Sequence, residues 1–217
     1  MAKDMIGKYR VAKHEFLKGE LTRNVSVRSI GGPSATLNST ADIAGATAIA
    51  TGVGMTPGSG ILGQAEIYKS SVYTKGNIIY TDILIDLTGL SSGDEANDII
   101  GKADGKANCH IGQITAAVNG TIFGGWVRCL EVPTGGDPDV DLWYADEATG
   151  VEDTDVTDLT NQVQVTNNGD HTIGRVTPFL DTVFPAADKY LYLACGDATD
   201  DVYTAGRLWI HMWGYAA

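Results

Sequence analysis

The sequence predicts an all-β protein: a two-sheet antiparallel sandwich of the jelly-roll type, with an extended N-terminal arm. Three observations predict it. Beyond about residue 64, short apolar runs alternate in polarity as half-buried strands require. Clusters of Gly, Asn, Asp and Pro separate these runs, and few segments follow a helical period. A chain of 217 residues with 27 Gly and only 19% charged residues suits one β domain of many short strands.

Residues 1–63 are read as a segment apart. Tyr9-Arg10-Val11-Ala12 and Asn24-Val25-Ser26-Val27-Arg28-Ser29-Ile30 alternate like strands, with a short helix through His14–Leu17 as an option. From Gly31 to Gly63 the chain turns to Gly, Ala, Ser and Thr, includes Pro33 and Pro57, and has no aromatic residue. Such a stretch has little with which to build a core. It reads either as a linker or surface loop, or as an arm laid across a neighbouring subunit.

The sandwich is predicted over residues 64–217. Its strands are expected at Ala65–Tyr73, Asn77–Leu87, Cys109–Val118, Thr121–Val132, Val140–Tyr144, Gln162–Thr166, Thr172–Val176, Lys189–Cys195 and Arg207–Trp213. Asn119-Gly120, between two apolar runs, has the form of a two-residue hairpin turn. A helical turn or two is expected at Asp94–Ile100 and little helix elsewhere. Strands of this number without intervening helices point to two packed sheets, and the jelly roll uses about eight strands over such a length.

The net charge of −12 argues against a nucleic-acid partner, since phosphate binding needs a basic surface. Charge is also unevenly placed. Residues 1–28 hold Lys3, Lys8, Arg10, Lys13, Lys18, Arg23 and Arg28 against Asp4, Glu15 and Glu20, about +4, which leaves about −16 for the remainder. A basic start on an acidic body suggests either contact with an acidic surface, such as a neighbouring copy, or simply a solvated strand pair. Cys109, Cys129 and Cys195 are isolated and far apart, and read as small buried hydrophobes in a reducing compartment. The first residues have no apolar leader core, and no run approaches the ~20 apolar residues of a membrane span. A protein made and used in soluble form, with no membrane partner, is expected.

Candidate chemistry is sparse. Asp137, Asp139 and Asp141 alternate in a way that can present oxygen to calcium, and Glu152, Asp153, Asp155 and Asp158 extend the acidic region. The spacing lacks the Gly and distal Glu of an EF-hand, so a solvated acidic loop is the preferred reading. His14, His110, His171 and His211 make no metal-binding pattern; His110 and His211 read as satisfied structural residues in strands. No nucleophile elbow, phosphate loop or dinucleotide fingerprint is present. No catalytic, cofactor-binding or metal residue is assigned, no cofactor is expected, and the chain is read as a non-enzyme. Trp126, Trp143, Trp209 and Trp213 remain, with nine tyrosines. Trp209, His211 and Trp213 share one face of the last strand. Such rings serve as core or subunit interface, or alternatively as a sugar-binding platform.

The end of the chain carries a resemblance. Tyr190-Leu191-Tyr192-Leu193, then Cys195-Gly196-Asp197-Ala198-Thr199-Asp200-Asp201-Val202-Tyr203-Thr204-Ala205-Gly206-Arg207, and the final Trp213-Gly214-Tyr215 resemble the C-terminal hairpin of virion structural proteins from marine tailed bacteriophages. The match covers about the last 29 residues, Lys189 to Ala217; the acidic turn Asp197–Asp201 departs from the more neutral turn of that group. The resemblance implies a jelly-roll capsid decoration or cement protein, assembled as a symmetric oligomer and bound to the major capsid protein on the surface of the virion after synthesis in the host cytoplasm. Closed symmetry and the three-fold positions of an icosahedral shell make a homotrimer the expected oligomer. The resemblance brings no catalytic residues. The alternative is a carbohydrate-binding or fibre-tip module that recognises a host glycan.

Overall fold

A computed structural model describes residues 54–63, 65, 67–167 and 169–216. The expected strands at Tyr9–Ala12 and Asn24–Ile30, the optional helix at His14–Leu17 and the arm up to Val53 lie outside the described residues. Among the described residues nine strands form: Tyr68–Lys75 (β1), Ile78–Asp86 (β2), Gly112–Gln113 (β3), Thr121–Thr134 (β4), Val140–Ala145 (β5), Val163–Gln164 (β6), Val176–Pro178 (β7), Tyr190–Cys195 (β8) and Ala205–Tyr215 (β9). All strand pairs are antiparallel. They make a two-sheet sandwich, with order β1-β2-β9-β4-β7 in the five-stranded sheet and β3-β8-β5-β6 in the four-stranded one.

The connectivity follows one rule. β2 pairs with β9, β3 with β8, β4 with β7 and β5 with β6. The chain from β2 to β9 is thus a long hairpin whose successive pairs fall alternately in the two sheets. β1 adds an edge strand through the tight Gly76-Asn77 turn, where Lys75 faces Ile78 and Gly76 takes φ 64°.

Alternation places the core. Ile83 and Ile85 of β2, Val127 and Cys129 of β4, and Leu208, Ile210 and Met212 of β9 point inward against Leu142 of β5 and Leu191 and Leu193 of β8. Each fully buried aliphatic side chain contributes about 1.5–3 kcal/mol by leaving water. The opposite parity of the four-stranded sheet is also buried. Trp143, Ala145, Tyr192 and Ala194 pack there against Ile99, Cys109 and Val156, so loop residues build a second core on that sheet's outer side. Gly54–Gly63, read from sequence as the end of the arm, belongs to the sandwich: Met55 and Ile61 enter the main core, and the Gly58 and Gly60 amides donate to His110 and Asn108 carbonyls.

Several local expectations are corrected. The Asn119-Gly120 pair closes a short helix, Ala116–Asn119 (α1), instead of a hairpin. Thr115 caps that helix, and the fully buried Asn119 accepts from the Thr115 amide (2.9 Å) and donates to Thr81 Oγ1 (3.0 Å). The local bond to Thr115 favours the helical turn, and the distant Thr81 holds the other end of the Asn119 amide. Gly120 then takes φ 67°, where a Cβ would also strike the Tyr215 carbonyl at 2.3 Å. Cys109–Val118 consequently yields only the two-residue β3, and His110 lies outside any strand. Asp94–Ile100 forms a turn and isolated bridges, Asp98 to Asp155 and Ile99 to Ala194, because its backbone is drawn into pairing with the second core. The run Thr172–Val176 is broken by a turn at Gly174 (φ 77°), and pairing begins only at Val176.

Candidate functional site

The outward parity of the five-stranded sheet carries rings where a solvent-facing sheet ordinarily carries polar residues. β9 supplies Arg207, Trp209, His211, Trp213 and Tyr215 at alternate positions, and register brings partners beside each. Tyr73, Tyr80, Trp213 and Gly124 form one rung across β1, β2, β9 and β4; Ser71, Asp82, His211 and Trp126 form the next; Lys69, Leu84, Trp209 and Arg128 the third. Gly124 leaves room for the Trp213 indole, whose atoms would lie 3.2 Å from a Cβ placed there.

Asp82 holds the centre. Its Oδ1 accepts from Trp209 Nε1 at 2.8 Å and from His211 Nδ1 at 2.6 Å, which places the His211 proton on Nδ1. Both side chains are largely shielded, 21% and 14% exposed, so a carboxylate among rings is compensated by two donors. Burial, and then the Asp82 charge, raise the Tyr73 hydroxyl above its ordinary pKa. At the next rung the Arg207 Nε sits 2.7 Å from the buried Asp86 carboxylate and 3.6 Å from Glu131. Burial opposes ionisation of Asp86, but hydrogen bonds from Thr88 and the Arg207 guanidinium hold its pKa below the usual range.

Ring orientation decides what this face can do. Tyr73 stacks on Tyr80 at 5.2 Å and 12°, Tyr80 lies 5.7 Å from His211 at 33°, and His211 stacks on Trp126 at 4.9 Å and 26°. Trp209 meets Trp126 edge to face at 4.7 Å, and Trp213 tilts against His211 at 5.1 Å. Tyr73 with Tyr80 and His211 with Trp126 therefore turn ring faces to one another, while Trp209 and Trp213 stand at an angle to their neighbours. Together the rings form an aromatic ridge across four strands.

The remaining candidates lie apart. Trp143 is 8% exposed inside the second core and does not join the ridge. His171 is buried, with Nε2 donating to the Val140 carbonyl; burial lowers its pKa, as it does that of His110. His14 lies outside the described residues. All three cysteines are free and buried; burial pushes the Cys109 and Cys195 thiols up to about 11, which makes them poor nucleophiles.

The acidic region is a solvated loop only in part: Asp146, Asp153 and Asp158 are exposed, whereas Asp137, Asp141 and Glu152 are buried. Asp137 is fully buried, its two oxygens accepting from the Asp139 and Asp197 amides, and Asp141 accepts from Gln164 and Thr166. These carboxylates splint loops together. Burial, followed by the charges of Asp137, Asp197 and Asp170, pushes Asp139 up to about 6. Carboxylate oxygens that do converge belong to Asp94, Asp98 and Asp153, within 4.8 Å of one another, a grouping that joins one residue of the acidic run to two outside it. Asp98 there accepts from the Glu95 amide, and Asp153 from the Asp94 amide. A separate cleft of about 480 Å³ is lined by Met55, Pro57, His110, Gln113, Thr115 and Tyr190.

Sequence reading placed Trp209, His211 and Trp213 on one face but missed Tyr73, Tyr80, Asp82 and Trp126 as their neighbours. The available signal was the outward parity of β2, where Tyr80 and the carboxylate of Asp82 alternate with the buried Ile79, Thr81 and Ile83. No helix among the described residues is long and apolar enough to cross a membrane. No family model, curated protein or solved structure matches the chain.

Proposed function

We propose that this chain is a non-enzymatic structural protein of a phage virion, a capsid decoration or cement protein that acts through contacts with its own copies, as a homotrimer, and with the major capsid protein. The observation that carries the reading is the aromatic ridge on the outer side of the five-stranded sheet, a feature suited to burial against protein. The residues on which the virion resemblance rests form β8, the acidic turn and β9, and β9 is both the middle strand of that sheet and the main source of the ridge.

Topology supports the same reading. The four strand pairs β2/β9, β3/β8, β4/β7 and β5/β6, with alternate pairs sharing a sheet, support reading the sandwich as a jelly roll, an architecture that recurs in viral capsid domains.

Fractionation of purified particles tests the proposal. The chain is expected in fixed stoichiometry on the head lattice, and its absence from virions overturns the reading. A truncation that probes the N-terminal segment for subunit contacts has to stop before Gly54, because removal through residue 60 takes Met55 out of the core. With residues 1–53 deleted, loss of the oligomer with an unchanged sandwich melt is expected. An intact trimer overturns the role given to the arm.

A further inference from the structure

We infer that the outer face of the five-stranded sheet is the seat of the molecule on the capsid lattice, and that it takes a protein surface with an apolar centre and an acidic rim. The inference rests on the virion reading above and names the contact.

Exposed apolar area collects here. Of nine large hydrophobic residues left exposed among the described residues, five (Tyr73, Phe123, Leu130, Val176 and Tyr215) lie on strands of this sheet. A collection of this kind beside half-buried tryptophans has the composition of an interface core. Rings of this kind bury large areas and make edge-to-face contacts with a protein partner.

Charge selects the partner. Lys69, Lys75, Arg128 and Arg207 stand on this face with Asp82, Asp86 and Glu131, and Arg128 reaches over Trp126 at 5.9 Å. The four other Lys and Arg of residues 54–216 (Lys102, Lys106, Arg175 and Lys189) are set among nineteen described acids. With Arg207 paired to Asp86 and Glu131, the face holds four cations against three carboxylates, a slight cationic excess on an otherwise strongly acidic body. The electrostatic complement of that excess is an acidic rim.

A second copy does not supply that complement in a closed assembly. Ridge against ridge brings together two faces of the same net sign, each with four cations against three carboxylates. The acidic loops that carry Asp94, Asp98, Asp153 and Asp155 cover the outer side of the four-stranded sheet, across the core from the ridge. Ridge against loops would therefore stack copy on copy without closing.

The test is rebinding of the full chain to heads of the encoding phage prepared without it. Two variants address the face, Trp213→Ala for the ridge and the double change Lys69→Glu with Arg128→Glu for the rim; the second leaves the ridge rings in place. Glu95→Lys on the far side is the control. Wild type and control are expected to bind saturably and alike, with both face variants at least about tenfold weaker and the wild-type affinity falling as salt rises. Wild-type binding with both variants unchanged overturns the seat while the virion reading stands. Failure of wild type to bind heads overturns both. Two further results overturn the named occupant: a sedimentation shift to monomer in Trp213→Ala, which makes the occupant a second copy, and saturable binding on a glycan array lost in Trp213→Ala, which makes it a sugar.

Discussion

The two sheets of the sandwich have apolar outer sides, and the chain treats them differently. On the four-stranded sheet, Trp143 and Tyr192 are roofed by residues 91–109 and 146–162, which contribute Ile99, Cys109, Val156 and Leu159. On the five-stranded sheet, Trp126, Trp209 and Trp213 have no comparable roof among the described residues and remain half-buried by one another. One side was completed from within the chain. The other carries no such cover among the described residues and is stiffened by Asp82, which ties two of its rings in place. Rigidity before contact is useful, because side chains already ordered lose less entropy on binding.

The difference should appear first in the cost of removing a ring. Trp143→Ala empties a closed core and is expected to cost about 3–5 kcal/mol in denaturant unfolding, whereas Trp213→Ala should cost about half of that or less. Equal costs would mean that the ridge is as much a core as the roofed side. Glycine substitutions sharpen the contrast. At Gly150 a Cβ meets Tyr192 at 2.6 Å and Ile99 at 2.9 Å, both fully buried, so Gly150→Ala is expected to cost about 1–3 kcal/mol. At Gly124 the neighbour is the partly exposed Trp213 ring, which has room to give, and Gly124→Ala should cost less than about 1 kcal/mol. Thermal melts of the pair decide this.

Asp82→Leu strips the shared acceptor from Trp209 and His211. A loss of about 1–2 kcal/mol is expected, together with a change in near-ultraviolet circular dichroism as the rings lose their alignment. An unchanged aromatic signal would show that ring packing alone orders the ridge.

The smallest effect lies on neither sheet face but in the loop carboxylates. With Asp139 raised from 3.8 to about 6, the folded protein keeps a proton that the unfolded chain loses above about pH 4. The stabilisation from that proton is complete at lower pH and is lost as pH rises towards and through 6. Asp139→Asn should therefore gain on wild type between pH 4 and pH 7, by about 1 kcal/mol once partial exposure is allowed for. Asp98, Asp137 and Glu152 shift the same way and His110 and His171 the opposite way, so the readout is the difference between variant and wild type across pH. A constant difference would show that Asp139 titrates normally.

Much of the fold was legible in the sequence wherever a strand is long and one-sided. Ile78–Asp86, Thr121–Thr134, Tyr190–Cys195 and Ala205–Tyr215 alternate over enough residues for the period to speak, and the expected bounds fall within a few residues of these. Where long-range partners decide, sequence misled. Asn119-Gly120 has the letters of a hairpin, yet Thr81, 38 residues away, claims the Asn119 amide. Asp137 looks solvated in a run of acids, yet amides from residues 139 and 197 consume its charge. The candidate face was half legible for the same reason: alternation puts Trp209, His211 and Trp213 together, but only register shows that Asp82 and Trp126 flank them.

The place of β9 has a consequence for how the molecule forms. β2 and β4 do not pair with each other; each pairs with β9, so the widest sheet has no middle until residues 205–215 exist. During synthesis every other described strand leaves the ribosome first, and β2 waits more than a hundred residues for its partner. A long wait between distant partners means slow closure and an interval in which two apolar strand edges stand open. The nascent chain is therefore most prone to aggregate until β9 has emerged, and a message cut short before Ala205 yields a product that chaperones or proteases must clear.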